Sequence, residues 1–541
     1  MPDILLIQPP IRDFYLTAKR TIPYGLACMA PVLINSGFTV KILDSLATSK
    51  SRVCDLPKEM NYLDKYYDQP DRSAFALFHQ YRHYGYSFGH IGKIARESGA
   101  FLVGISSLFT PYLGETLQTA ETVKTFHPNC KIVVGGHHPS TLPESVMASK
   151  AVDFVIRGEG EVSLHRLAKA VSGDGAYDAI PGLVFRQKNG AIHINPPARM
   201  DYPDEHPLPA VNLIDQRYYR RKGRAAMVVV AARGCPMACS YCCVGAQSAL
   251  DFRKRSVDSV LTEIQRGVTQ HDVGFIDFED ENLSLDRRWF LELLSGIKRC
   301  FNGNGPELRA MNGLFPPSLD EAVVQQMQAA GFRTLNLALG STSSDQLKRF
   351  NRPDVRAAFD RVLKLAEDNG IKAVGYVIGA APFQSAQESV ADLLYLAQRR
   401  VLVGLSIFYP APGSKDFEVC RNLGILPGHF SCMRSSALPI AHTTTRKEAV
   451  TLLRLARILN FMKLLVDEKI SIATDSTPGE IRISDPSDRM QTSRQLLAKF
   501  LHDGKIRGVT PEGHVFEHLI SEKISHAFLS GLDAIDLRGS Q

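Results

Sequence analysis

Short apolar runs separated by amphipathic stretches set a rhythm along the chain, and the rhythm occurs twice. In the first third, Asp3–Gln8, Phe38–Leu43, Phe101–Ser106, Lys131–Val134 and Val152–Ile156 read as strands. They are apolar at nearly every position, as strands buried on both faces of a parallel sheet are. Tyr24–Ser36 reads as a helix, and Leu113, Leu117, Ala120 and Val123 recur at helical spacing. Strands alternating with helices predict a doubly wound parallel sheet, with ligands at the carboxyl ends of its strands. Residues 45–95 break the rhythm with polar positions and with Tyr62, Tyr66, Tyr67, Tyr81, Tyr84 and Tyr86, and read as an insertion on the ligand face. Residues 175–225, rich in proline from Pro181 to Pro209, read as a linker with a hairpin around Asn189-Gly190.

The rhythm resumes at Met227–Ala232 and continues through Gly274–Phe278, Glu307–Met311, Thr334–Leu339, Ala373–Ile378 and Gly404–Tyr409. Without a seventh or eighth βα unit, these predict an open, partial (β/α)6 barrel rather than a closed eightfold one. After it, Arg446–Leu465 opens a mainly helical C-terminal region. The expected division is 1–174, a linker 175–225, a barrel 226–440 and a substrate-side domain 441–541.

Composition changes this picture little. The chain has 541 residues, 44% hydrophobic and 22% charged, ordinary for a globular protein of several domains. A net charge of +7 spread along the chain gives no reason to expect nucleic acid. The densest basic run, Arg217 to Arg224, reads as a solvated connector. No apolar run reaches the ~18 residues of a transmembrane helix. No secretory segment is visible at the start, so a cytoplasmic, reducing location is expected.

The chemistry concentrates in residues 235–242, Cys-Pro-Met-Ala-Cys-Ser-Tyr-Cys. Cys235, Cys239 and Cys242 form C-x3-C-x2-C with no fourth cysteine at ligand spacing. Three such thiolates can hold three irons of a [4Fe–4S] cluster and leave the fourth open. A structural zinc site takes four ligands, and the next histidine, His271, stands alone. Ten cysteines in 541 residues are too sparse for a disulfide framework. Cys243 falls outside the spacing and reads as packing, as do most of the scattered cysteines.

With Tyr241 before its third cysteine, the triplet resembles the signature of radical S-adenosylmethionine (SAM) enzymes. The resemblance implies that the open iron chelates SAM, and it extends to loops at the expected strand ends. Glu279, Asp280 and Glu281 follow the second barrel strand, where carboxylates can accept from the methionyl ammonium or simply cap the next helix. Ser341 and Ser343 follow the fourth, where Gly340 stands in place of the acidic residue common in that family. Gly379 and Pro382 lie in a loop resembling the family's adenine-side turn, and Pro410-Ala411-Pro412-Gly413-Ser414 resembles its Pro-x-Pro-Gly-Thr turn.

The first domain resembles the flavodoxin-like cobalamin-binding fold. Ser106 and Leu108 match its Ser-x-Leu element, Gly135 and Gly136 its Gly-Gly, and Gly158 and Glu159 lie in the downstream Arg-Gly-Glu-Gly-Glu. Glycines let backbone approach a bulky nucleotide tail. Asp44 is followed by Leu46 where many cobalamin proteins place a cobalt-binding histidine, so no histidine on cobalt is expected. His137 and His138 follow the glycines and read as structural.

Residues 1–440 thus resemble radical SAM enzymes with an N-terminal cobalamin domain. The resemblance implies a cobalamin-dependent C-methyltransferase working anaerobically. In such enzymes a 5′-deoxyadenosyl radical takes hydrogen from an unactivated substrate carbon, and methylcobalamin donates the methyl group. It also implies a small-molecule substrate and an external electron donor of flavodoxin or ferredoxin type. Two alternatives share the cofactors: a cyclase or ring-rearranging enzyme without methyl transfer, and a non-catalytic sensor.

Overall fold

A computed structural model describes residues 1–14, 21–173, 175–244, 251–472, 483 and 485–540. The N-terminal sheet is parallel in its centre, running in the spatial order Val40–Asp44, Ile4–Gln8, Leu102–Ser106, Lys131–Gly135, Phe154–Ile156. This is the doubly wound order with a crossover between the first and third strands. Ile4, Leu5, Leu6 and Ile7 are at most 1% exposed, because the helices Tyr24–Asn35 and Leu113–Phe126 cover opposite faces. Antiparallel strands Leu183–Arg186 and Ile192–Ile194 extend the sheet beyond Phe154–Ile156. They are the hairpin around Asn189-Gly190, so this part of the expected linker belongs to the first domain.

The alternation resumes earlier than the tyrosine pattern suggests. Phe88–Ser98, inside the expected insertion, is a regular crossover helix capped by Ser87 and ended by Gly99 at φ 64°. The insertion proper adds an antiparallel sheet of Ser51–Val53, Arg82–Tyr84 and Ile11–Asp13 at the carboxyl end of the first strand.

The barrel has the six expected parallel strands, Arg224–Val229, Val273–Phe278, Glu307–Arg309, Thr334–Gly340, Lys372–Gly379 and Leu402–Ile407. They form two sheets split after the third strand, with the bridges Leu308 to Phe332 and Leu314 to Leu337 across the split. Helices Val257–His271, Arg287–Phe301, Glu321–Ala330, Arg356–Asp368 and Ala386–Ala397 pack outside. Side chains of Ser256, Asp286, Asp320 and Ser385 start four of them. The C-terminal helices Arg446–Asp467, Arg489–Asp503 and Glu522–Leu532 continue the barrel core. The polar stretch 473–482 lies outside the described residues. No described helix is long and apolar enough to cross a membrane.

Candidate functional site

The cysteine loop leaves the first barrel strand and is closed by a short ribbon in which Ala232–Arg233 pairs antiparallel with Arg253–Lys254. Below it, the buried Asp280 carboxylate accepts the backbone amides of Ala231 at 3.1 Å and Ala232 at 2.6 Å. Burial nonetheless pushes the pKa of Asp280 up to about 8. Across the barrel, Ser240 donates its hydroxyl to Asp416 at 2.9 Å, and the Asp416 amide donates back to the Ser240 carbonyl at 2.9 Å. Asp416 lies in the helix after the sixth strand, so the loop is held from both sides of the open barrel.

Cys239 is buried, and Cys235 and Cys242 are half-buried. Burial pushes the Cys235 thiol up and the Cys242 thiol up to about 12, with the neighbouring sulfurs adding repulsion. Three thiols at C-x3-C-x2-C spacing are a donor set that fits a cluster whose thiolates bind separate irons. Two donors that sequence reasoning missed point at the sulfurs. Asn282 Nδ2 lies 4.0 Å from Cys235 Sγ, and Arg352 Nη1 lies 3.9 Å from Cys239 Sγ. Arg352 also donates to the Tyr241 hydroxyl at 2.9 Å and to the Ala338 carbonyl at 2.7 Å. Asn282 adjoins the acidic run and was within reach of a motif reading; Arg352 carries no local signal.

The other strand ends divide the expected SAM contacts. Glu279 is exposed, and Glu281 is half-buried with its pKa raised by burial. Asp280 is instead occupied as the brace just described. Gly340 has φ +85°, and a Cβ there would stand 3.1 Å from Arg352 Cδ, so the Arg352 side chain packs against this strand end. Ser341 is fully buried and donates to Asp392 at 3.0 Å, and Ser343 donates to Glu388 at 2.6 Å while capping its helix. Both hydroxyls are turned into the loop's own support, because Asp392, with the Thr342 amide also bound at 2.5 Å, ties the turn to the helix Ala386–Ala397 that follows the fifth strand. Gly379 ends the fifth strand, and Pro382 sits between Ala380 at φ 58° and Phe383 at φ 64°. Left-handed non-glycine residues of this kind store strain, which gathers at ligand-binding turns. Inside the barrel, Arg309 Nε donates to Asn336 at 3.1 Å and Asn336 Nδ2 donates to Tyr376 at 2.5 Å, a polar chain across three strands.

In the first domain, Ser106 pairs with Gly135, and the Ser107 amide donates to the Gly135 carbonyl at 2.7 Å. The Ser107 hydroxyl is buried with no hydrogen-bond partner among the described residues. A Cβ on Gly135 would meet nothing nearer than the Ile156 carbonyl at 4.0 Å, whereas one on Gly136, at φ +132°, would strike the Ser107 carbonyl at 2.4 Å. Gly135 leaves open space; Gly136 is required by the turn itself. Leu108 is half-buried beside that turn. The open space and the orphan hydroxyl fit a bulky polar ligand tail at this strand end.

Asp44 accepts from the Tyr219 hydroxyl and from the Leu46 amide at 2.9 Å, and burial pushes its pKa up to about 6. Leu46 is 4% exposed and packs with Ile11 and Tyr84. His138 is buried between Thr110 at 3.2 Å and Ser145 at 2.9 Å, a structural place, and burial lowers its pKa to about 4. Gly158 and Glu159, expected at cobalamin, are accounted for otherwise. A Cβ on Gly158 would lie 2.2 Å from the Ala198 carbonyl, and the Glu159 carboxylate is taken by Arg253 and Arg233.

Comparison with known proteins agrees with this geometry. Residues 83–168 match the B12 binding domain and residues 229–394 match the Radical SAM superfamily. The chain thus carries a stretch similar to the B12 binding domain ahead of one similar to the Radical SAM superfamily. An uncharacterized methyltransferase of Pyrococcus horikoshii is 25% identical over 430 residues, covering 78% of this chain and 84% of that protein. The anaerobic magnesium-protoporphyrin IX monomethyl ester cyclase of Rubrivivax gelatinosus is 27% identical over 281 residues, covering 50% of this chain and 49% of that one. Among solved structures, the cobalamin-dependent S-adenosylmethionine radical enzyme OxsB superposes with a TM-score of 0.66 at 12% identity, over 98% of this chain and 79% of that one. At that identity the likeness concerns the fold.

Proposed function

We propose that this protein is a cobalamin-dependent radical SAM methyltransferase acting on an unactivated carbon of a small-molecule substrate. The observation that carries this reading is the B12 binding domain and the Radical SAM domain in one chain. Methyl transfer is favoured over cyclisation because the methyltransferase relative matches 78% of the chain and the cyclase relative only half of it. Cys235, Cys239 and Cys242 would hold a [4Fe–4S] cluster, and the strand-end turn at Ser106, Ser107, Leu108, Gly135 and Gly136 would receive cobalamin. Bound there, the cluster and SAM supply a carbon-centred radical, and cobalamin carries the methyl group.

The chain's own residues do the positioning. Asn282 and Arg352 direct N–H groups at two of the sulfurs, and the Asn282 bond works against the burial that raises the Cys235 thiol. Asp280 and Asp392 hold the first and fourth strand ends in place, and Glu279, Glu281 and the Gly379–Pro382 turn would meet SAM. Leu46, Ile11 and Tyr84 form an apolar wall where a ligand histidine would otherwise stand, so cobalt would take no protein imidazole. An external one-electron donor and the reducing cytoplasm complete the reading.

The test is anaerobic turnover with methyl-labelled SAM and a metabolite extract. Equal amounts of S-adenosylhomocysteine and 5′-deoxyadenosine, both lost when cobalamin is withheld, accompany a methylated product. Deoxyadenosine alone, with a substrate converted at unchanged methyl count, would overturn methyl transfer in favour of cyclisation or rearrangement.

A further inference from the structure

The run Arg157-Gly158-Glu159-Gly160-Glu161 follows the last parallel strand of the first domain. Its backbone is locked there: the Gly158 amide donates to Ser140 Oγ at 2.9 Å, and the Glu159 amide donates to the Ala198 carbonyl at 3.0 Å. Both carboxylates reach across to the barrel, and what they meet is the stem of the cysteine loop. Arg233, two residues before Cys235, stands opposite Arg253 in the ribbon that closes that loop. Arg253 Nη1 donates to Glu159 at 2.8 Å, Arg233 Nη1 to the same carboxylate at 3.3 Å, and Arg233 Nη2 to Glu161 at 2.5 Å. Glu159 also accepts the Met200 amide. Glu159, Glu161 and Arg253 are at most 7% exposed in their side chains, and Arg233 is 24% exposed.

We propose that Glu159 and Glu161 are positioning residues for the cysteine loop, a carboxylate pair on the B12 binding domain that grips both stems of the loop. The seat of the cluster is then set by the neighbouring domain and not by the barrel alone. The inference rests on reading Cys235, Cys239 and Cys242 as cluster ligands. Its physical ground is that two buried ion pairs are costly to desolvate and add little stability over apolar packing. Their effect here is directional, because planar guanidinium groups on both stems fix the ribbon's angle to the first domain. With the cluster on one side of this joint and the cobalamin turn on the other, the joint also sets how far apart the two cofactors stand.

The test uses the full chain reconstituted anaerobically with iron, sulfide and cobalamin. Glu161→Gln, Arg233→Gln and the double variant are compared with wild type by melting temperature, cobalamin uptake, iron per chain and electron paramagnetic resonance of the reduced cluster. Each single variant leaves the ion-pair group with one uncompensated charge, although Arg233 keeps Glu159 at 3.3 Å in Glu161→Gln, and melts lower; the double variant, left with the Glu159–Arg253 pair, recovers most of the melting temperature. Iron content falls several-fold, or the resonance shifts, in all three, while cobalamin uptake is unchanged. A cluster signal that recovers with the melting temperature, or that stays wild-type throughout, overturns the proposal. So does loss of cobalamin uptake in the double variant, which would make the pair part of the first domain's own fold. A triple Cys→Ala variant runs alongside: a cluster resonance that survives in it would defeat the ligand reading itself, whatever the glutamates do.

Discussion

The strand ends of the two domains are built in opposite ways. In the N-terminal sheet the ligand face is shaped by what is missing: Gly135 leaves open space, and Ser107 offers a buried hydroxyl without a partner among the described residues. In the barrel it is shaped by side chains pinned from below, Asp280 under the cysteine loop and Asp392 under the Ser341–Ser343 turn. One face leaves open space by withholding atoms. The other carries its cysteines on a backbone braced from beneath. Filling should therefore damage the first, and cutting a brace should damage the second.

The largest expected effect falls on the barrel side. Replacing Cys235, Cys239 and Cys242 together by alanine should abolish iron binding and all SAM cleavage, measured as iron per chain and 5′-deoxyadenosine formed. Cys243→Ala should retain both.

The two adjacent glycines sharpen the contrast within the first domain. Gly136→Ala puts a Cβ into the Ser107 carbonyl at a left-handed φ, and should cost roughly 3 kcal/mol or more in denaturant unfolding. Gly135→Leu should leave unfolding nearly unchanged but weaken cobalamin binding more than tenfold, measured by equilibrium dialysis. Equal effects of the two substitutions on both measurements would mean that the open space at Gly135 is not a ligand seat.

Asp44 provides a pH signature. Burial raises its folded pKa to about 6, above an unfolded value of about 3.8, so the folded state binds the extra proton between the two. Its contribution to stability is greatest below the unfolded value and falls as pH rises through the folded one, by roughly 3 kcal/mol. Asp44→Asn should flatten that fall in urea titrations of the apoprotein from pH 4 to pH 7.

Asp392→Ala is the smallest test. It removes the acceptor of Ser341, Thr342 and the Thr342 amide at once, and should cost about 2 kcal/mol. SAM affinity should weaken while iron content stays at wild type. A fall in iron equal to that of the cysteine variants would show that the fourth-strand turn and the cysteine loop are one unit.

Much of this molecule is local and therefore legible along the chain. Buried parallel strands must be apolar on both faces, so Ile4–Gln8 and its partners stand out. Helices need caps, and the cysteine ligands lie within eight residues of one another. What the motif reading could not see is a partner that lies far away in sequence. Ser341 and Ser343 looked free for a cofactor until Asp392 and Glu388 were brought beneath them. Glu159 looked like part of the cobalamin site until Arg253, 94 residues on, was folded against it.

By itself, then, the sequence determined the two α/β rhythms, the thiol triplet and the glycine turn, since each depends on neighbours a few residues apart. Only the tertiary structure decided which polar groups face a ligand and which are consumed as braces. A buried charge must find its partner wherever the chain places one, and that placement is a property of packed domains, not of spacing.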